Sequence, residues 1–208
     1  MKEQRRGLAE ACRRLDRLGF VPATDGNLSV RLDRDRILIT PSMVPKARLS
    51  EAGLLLCSLE GKRLAGRGKP SSEMKMHLFA YQQRPDVRAV VHAHPPTATA
   101  FAACGLPLDQ PVLPEVMLTV GRIPLAGYAT PSTDEVPRSL APLILGHNVI
   151  LLANHGVLAM GADLDEAMCR MERAEHLAKI MLAARMLGGA VSLTKGQQKK
   201  LLDTWGKF

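Results

Sequence analysis

The spacing of apolar positions changes period several times along the chain, and each change marks an element. Residues 3–18 place Leu8, Cys12, Leu15 and Leu18 at helical spacing with Gly19 as the stop, which predicts a helix with a basic outer face. The polar turn Thr24-Asp25-Gly26-Asn27 leads into a short strand ending at Leu32. Asp33-Arg34-Asp35 then turns the chain into Arg36-Ile37-Leu38-Ile39-Thr40, which predicts a hairpin. Residues 54–59 read as another strand, closed by Glu60-Gly61-Lys62, and residues 63–69 as a basic loop. Pro70-Ser71-Ser72-Glu73 reads as a helix start, with serine as N-cap and an acid in the first turn. An apolar face through Met74, Met76, Leu78 and Tyr81 follows it.

Residues 86–91 feed an apolar strand that ends in His92-Ala93-His94. Pro95-Pro96 opens an Ala- and Thr-rich helix to about Cys104, with Gly105 as its stop. Residues 111–128 read as short strands broken by turns. Pro131-Ser132-Thr133-Asp134 opens a helix to about residue 145, which Pro142 should kink or shorten. Residues 149–152 are wholly apolar, which predicts a strand central in a sheet, and residues 157–160 continue extended. Asp163 and Glu166 form a capping-box pattern ahead of a long helix whose stripe runs from Leu164 through Met168, Met171, Ala174 and Ala178 to Leu182. Its methionines read as core filler, and Gly188-Gly189 ends it. Residues 194–205 read as a short basic helix or tail. With no repeat and no linker, residues 1–208 are expected to form a single α/β domain with a mixed, largely antiparallel sheet. Neither GxGxxG nor GxxxxGK occurs, so a nucleotide fold is not supported.

Composition narrows the class. The chain has 208 residues, 46% of them hydrophobic, which suits one globular domain. No apolar run approaches a membrane span, and the charged start Met1-Lys2-Glu3-Gln4-Arg5-Arg6 carries no signal-peptide core, so a cytoplasmic protein is expected. Cys12, Cys57, Cys104 and Cys169 form no pair motif and read as reduced core thiols, which argues against a thiolate metal site. The formal charge of +8 raises the question of nucleic acid. The positive residues are dispersed and aromatics are only 3%, so a solvated surface with a site for a phosphorylated metabolite fits better.

The candidate chemistry lies where two apolar runs stop. His92 and His94 are two apart on a strand and share a face. His155 follows the second run. Their convergence on one divalent metal would give three nitrogen ligands and an open position, the layout of a catalytic zinc site, with manganese or cobalt also compatible. Glu73 has two readings: favouring the helix dipole, or supplying a carboxylate to the metal. The polar turns flanking the hairpin either bind an anion or serve only as turns. His77, alone on an apolar helix face, reads as a packed residue and not a ligand.

Taken together, Gly26-Asn27-Leu28-Ser29, Ile39-Thr40-Pro41-Ser42, Pro70-Ser71-Ser72-Glu73, Val91-His92-Ala93-His94 and Ala153-Asn154-His155-Gly156 resemble the class II aldolase/adducin superfamily, in particular its ketose-phosphate lyases, over residues 7–183. The resemblance implies a central, mostly antiparallel sheet flanked by helices, and a cyclic homotetramer with sites near subunit interfaces. It implies that His92, His94 and His155 hold one zinc ion per subunit. It makes Glu73 the catalytic acid/base, on or near the metal when the site is empty, and makes Thr24, Asn27, Ser42, Ser71 and Ser72 a phosphate pocket. The implied substrate is a short ketose 1-phosphate, fuculose-phosphate-like or 5-deoxypentulose-phosphate-like, cleaved to dihydroxyacetone phosphate and an aldehyde. A decarboxylase, 4-epimerase or dehydratase of a phosphorylated sugar or sugar acid would use the same scaffold. A non-enzymatic adducin-like module would lack the ligands this chain keeps. Two departures stand out. Members acting on fuculose phosphate carry a tyrosine that helps protonate the leaving aldehyde oxygen; Leu118 aligns there, with Glu115 nearby as either a replacement acid or a surface residue. The family's glycine in the second polar turn is Met43. Tyr128 is read as structural.

Overall fold

Eight strands, β1 (Asn27–Arg31), β2 (Arg36–Ile39), β3 (Leu55–Ser58), β4 (Arg63–Ala65), β5 (Ala89–Ala93), β6 (Leu125–Ala126), β7 (Val149–Leu152) and β8 (Gly156–Gly161), form one sheet in a computed structural model that describes residues 1–205. The strand order is β4-β3-β2-β1-β5-β8-β7-β6. Every pairing is antiparallel except β6 with β7. Seven α-helices surround it: α1 (Lys2–Arg17), α2 (Met74–Gln83), α3 (Pro96–Ala103), α4 (Pro114–Thr119), α5 (Glu135–Leu140), α6 (Leu164–Met186) and α7 (Lys195–Trp205). No helix among the described residues is long and apolar enough to cross a membrane.

The period of two along the strands divides the apolar residues between two cores. Leu28, Leu38, Val91, Ala93, Leu151, Val157 and Ala159 face one side, where α1, α3 and α6 supply Leu8, Leu15, Phe101, Met171 and Leu177. Ile37, Ile39, Val90, Ile150, Leu158 and Met160 face the other, against Met76, Ala80 and Tyr81 of α2 and Val136 and Leu140 of α5. With helices on both faces, β5, β7 and β8 are buried throughout, which is why they read as continuous apolar runs. The all-apolar β7 is nearer the sheet edge than its sequence suggests. Only the two-residue β6 lies beyond it.

Several expectations change. Residues 63–69 hold β4, an exposed edge strand whose lack of a buried face left no apolar alternation to read. Residues 111–128 hold α4 as well as a strand. Pro114 occupies its first turn, and Val116 and Val120 are buried four residues apart. Residues 157–160 return antiparallel to β7 as half of a hairpin, so His155 sits in its turn. Glu73 is the N-cap residue of α2 and not part of its first turn, because the Met74 N–H donates to Ser71 O and the helix proper starts later. Cys12 and Cys57 are buried, whereas Cys104 and Cys169 are exposed at a helix end and on an outer helix face.

Strand polarity brings the functional candidates to one end of the sheet. The start of β1, the end of β2, the end of β5 and the turn between β7 and β8 all lie there. The 23-residue α6 buttresses this arrangement from behind β5 and β8. Its start is fixed by Asp163 Oδ1, which accepts from the Glu166 N–H at 2.8 Å, while Glu166 Oε2 accepts from the Ala162 N–H at 2.6 Å. Asp163→Ala removes an N-cap acceptor and should lower stability by about 1 kcal/mol, read as a lower urea midpoint with an unchanged slope.

Candidate metal centre

His92 is the penultimate residue of β5, paired with Asn27 of β1 and Leu158 of β8. Its ring is fully buried, and its Nδ1 lies 3.0 Å from Val157 O. A carbonyl only accepts, so Nδ1 carries a proton, and in the neutral ring the Nε2 lone pair faces the cleft. His94 leaves the strand beside it, with Nε2 3.1 Å from His92 Nε2 and Nδ1 3.4 Å from Asp25 Oδ2. His155 enters from the β7–β8 turn, its ring centroid 4.7 Å from that of His92. The preceding Asn154 has φ 56, a left-handed conformation that asparagine tolerates better than most residues. Gly156 is required for the approach, since a Cβ there would lie 2.6 Å from both Ala93 O and His94 Cδ2.

Glu73 closes the cluster from the start of α2. Its Oε2 accepts from Asn27 Nδ2 at 2.8 Å and lies 3.3 Å from His92 Nε2. Its Oε1 lies 3.3 Å from His155 Nε2 and, though buried, has no hydrogen-bond partner. Burial alone would raise the Glu73 pKa, but the His92 ring, and then His155 and Asn27, outweigh it and hold the carboxyl well below the usual range. Burial also works against charge on the rings. At His92 the Glu73 carboxylate overcomes it and raises the pKa, whereas His155, buried and facing His92, falls to about 4. His94 is likewise lowered, by burial and then by His92. The crowded imidazoles therefore do not all accept protons.

The donor set fits a divalent cation. One nitrogen from each of the three rings lies within 4.8 Å of the others. Two of them, with their proton-bearing nitrogens turned toward an acceptor, aim lone pairs at each other from 3.1 Å. Ligand atoms on a tetrahedral ion with bonds of about 2.1 Å stand about 3.4 Å apart, close to the 3.1 Å between His92 and His94 and the 3.3 Å from Glu73 to His92 and His155. A cation held there would also give the buried, unpartnered Glu73 Oε1 a partner.

The cleft beside the cluster is about 210 Å³ and is lined by Thr24, Asp25, Asn27, Ser42, Ser71, Ser72, Glu73, His94 and His155, among others. Thus the residues singled out in the polar turns are brought together with the histidines; His92 lies beneath them, fully buried. An isolated bridge between Pro41 and Pro70 places the serine segments side by side. It also engages backbone donors: the Ser42 N–H goes to Lys69 O and the Ser71 N–H to Thr40 O, so the serines face the cleft with hydroxyls. Ser71 Oγ accepts from the Glu73 N–H at 3.2 Å and keeps its own proton to donate. Met43, where a glycine was expected, keeps a left-handed backbone at φ 58, so the turn is retained without the glycine. Among the described residues, all four non-glycine positions with positive φ, Ala23, Met43, Ser132 and Asn154, lie in or next to this lining, where strain of about 1–3 kcal/mol each is typical of functional sites.

Three residues outside the site candidates named from the sequence belong to this neighbourhood. Asp25 stands against His94. Lys46, 1% exposed, donates through Nζ to Thr24 O at 2.9 Å and Val44 O at 3.0 Å, tying the two polar turns together beneath the cleft. His77, read from the sequence as a packed residue, is fully buried, with Nε2 2.6 Å from Asn27 Oδ1. The serial spacing of Asp25 and His94 held no hint of their contact, and nothing marked Lys46 as buried. Glu115 is exposed on α4, Leu118 half-buried on the same helix, and neither lines the cleft. Tyr128 is 67% exposed, so it does not act as a core element within the chain.

Comparison with known proteins agrees with this geometry. Residues 6–182 match the family described as Class II Aldolase and Adducin N-terminal domain. A 3-oxo-tetronate 4-phosphate decarboxylase of Haemophilus influenzae is 34% identical over 194 residues, covering 91% of this chain and 90% of that protein. A 5-methylthioribulose-1-phosphate/5-deoxyribulose-1-phosphate aldolase of Rhodospirillum rubrum is 38% identical over 204 residues, covering 98% and 91%. Among solved structures, an L-fuculose 1-phosphate aldolase superimposes with a TM-score of 0.92 at 31% identity, over 100% of this chain and 98% of the other. With sheet order, histidine cluster and sequence in accord, the chain belongs to the class II aldolase and adducin N-terminal domain family.

Proposed function

We propose that this chain is a zinc-dependent aldolase that cleaves a short ketose 1-phosphate, of the 5-deoxypentulose-phosphate or fuculose-phosphate type, to dihydroxyacetone phosphate and an aldehyde. The observation that carries the reading is the Glu73 carboxylate, with one oxygen toward His92 and the other toward His155, at the mouth of a hydroxyl-lined cleft. His92, His94 and His155 would hold the ion, with the Glu73 carboxylate beside them. When bound, the ion supplies Lewis acidity toward the substrate's C2 carbonyl oxygen.

The chain's own residues do the rest. Thr24, Ser42, Ser71 and Ser72 donate hydroxyls to the phosphate, and Asn27 offers its second amide hydrogen, which fixes the substrate's register against the histidines. Cleavage of the C3–C4 bond sends an electron pair into an enediolate of dihydroxyacetone phosphate. As that bond breaks, the C4 hydroxyl gives up its proton and its oxygen becomes the aldehyde carbonyl. Glu73, a carboxylate at rest, takes up that proton and returns it to C3 of the enediolate; in the reverse direction it removes the C3 proton. Its low pKa supports the carboxylate form needed for that reverse step. The aldehyde oxygen also needs a proton partner. Asp25 and Glu73 are the acids among the lining residues, so Glu115 would serve only if a neighbouring copy carried it into the cleft; we propose the assembly as a cytoplasmic homotetramer of single-domain subunits.

Decarboxylation of a 3-oxo sugar acid 4-phosphate is the second reading. It leaves the same enediolate and asks the same protonation of Glu73, while carbon dioxide departs without an acid. Leu118 in place of the tyrosine, and the similarity to the Haemophilus influenzae decarboxylase, favour it.

Two measurements test the proposal. A panel of ketose 1-phosphates and 3-oxo sugar acid phosphates, incubated with metal-loaded protein, should release dihydroxyacetone phosphate with an aldehyde from the former. Carbon dioxide from the latter alone would replace the aldolase by the decarboxylase. Among variants, His94→Ala should lose bound metal, by elemental analysis, together with turnover. Glu73→Gln should retain metal and lose about 10²–10⁴-fold in kcat; unchanged turnover in that variant would remove Glu73 from the chemistry.

A further inference from the structure

Behind Glu73 runs an unbroken line of buried hydrogen bonds that reaches the core between α2 and the sheet. Tyr81 Oη lies 2.8 Å from Ser29 Oγ, Ser29 Oγ 2.7 Å from His77 Nδ1, His77 Nε2 2.6 Å from Asn27 Oδ1, and Asn27 Nδ2 2.8 Å from Glu73 Oε2. Ser29, His77 and Tyr81 are between 0% and 1% exposed. Sequence spacing explains the alignment. Asn27 and Ser29 alternate onto one face of β1, and His77 and Tyr81 are one helical turn apart on α2.

The polarity of the line is set from its functional end. A carboxylate only accepts, so Asn27 must present its amide nitrogen to Glu73 and its oxygen to His77. That oxygen also only accepts, so His77 Nε2 carries the ring's proton. Burial pushes the His77 pKa down to about 3, and the ring is neutral. Nδ1 is then bare and accepts from the Ser29 hydroxyl, which in turn accepts from Tyr81. Each donor and acceptor has one role. Reversal at His77 would set a ring lone pair against Asn27 Oδ1, or flip the amide and set its oxygen against the Glu73 carboxylate.

We propose that His77 is a positioning residue: through its Nε2–H tautomer it locks the Asn27 amide so that a nitrogen, and never an oxygen, meets Glu73. The aim of the Glu73 carboxylate toward the histidines is thus fixed from the core. The consequence for turnover rests on Glu73 as the proton carrier, whereas the tautomer itself does not.

The test has two arms. Long-range ¹H–¹⁵N spectra of the histidine side chains in the whole protein, with the His77 signals assigned by their loss in His77→Gln, should show a protonated Nε2 and a bare Nδ1. An Nδ1–H tautomer or a cationic ring overturns the proposal, whatever the reaction. In kinetics, His77→Gln keeps a donor toward Asn27 and should stay within about tenfold of the wild-type kcat, while His77→Met loses that donor and should fall about 100-fold, the scale of a misplaced catalytic group. KM and metal content should be unchanged in both. Equal kcat in His77→Met and wild type overturns the positioning role; should His77→Met not fold, the spectra still decide. Normal turnover in Glu73→Gln would instead remove the proposed chemistry and leave the tautomer result standing.

Discussion

Three imidazoles and a carboxylate are held within contact of one another at a sheet end beside an open cleft, and the rest of the structure answers to that constraint. Left alone, such a cluster is strained. Burial opposes charge on every ring, the ring nitrogens face each other with lone pairs, and one carboxylate oxygen has no partner. The arrangement persists because its members sit on parts of the fold that cannot retreat. His92 is clamped between β1 and β8, His155 is carried by a tight hairpin turn, and Glu73 begins a helix packed on the second core.

The layers around the cluster divide the work. The core formed with α1, α3 and α6 backs β5 and β8 and so fixes the backbone of the histidine strand. Glu175, 2% exposed on α6, adds to this by accepting the Thr97 and Ala98 N–H groups at the start of α3, directly after His94 and Pro95. A buried carboxylate at a helix N-terminus is well placed for both its hydrogen bonds and the helix dipole. The other face carries the polar line from Tyr81 to Glu73. It is a costly feature inside a core unless every member is satisfied, and here every hydrogen bond within it has a defined direction.

The cleft follows a different logic from the cluster. Its walls are loops and turns, linked by the Pro41–Pro70 bridge and by the Lys46 ammonium beneath two of them. Hydroxyls can turn to suit a ligand, while the backbone that carries them is held in left-handed conformations at Met43 and Ser132. A rigid scaffold with rotatable donors suits recognition of a tetrahedral anion. It leaves the remainder of the substrate to be distinguished by whatever surrounds the open side.

The chain by itself determined the elements whose signals are local. The hairpin of β1 and β2, the apolar runs of β5, β7 and β8, the cap at Asp163 and the three histidines where apolar runs stop all follow from periodicity and residue type. It also carried the motifs by which the family is recognised. What only the tertiary structure decided depends on partners distant in sequence. The edge strand β4 has no buried face of its own. The helix α4 forms because Val116 and Val120 find a core. Glu73 turns from a helix-start acid to a neighbour of His92 and His155 because Asn27, 46 residues away, holds it there. The role of His77 was hidden for the same reason: a histidine on an apolar helix face shows its chemistry only when the residue on each side of its ring is known, and both come from β1.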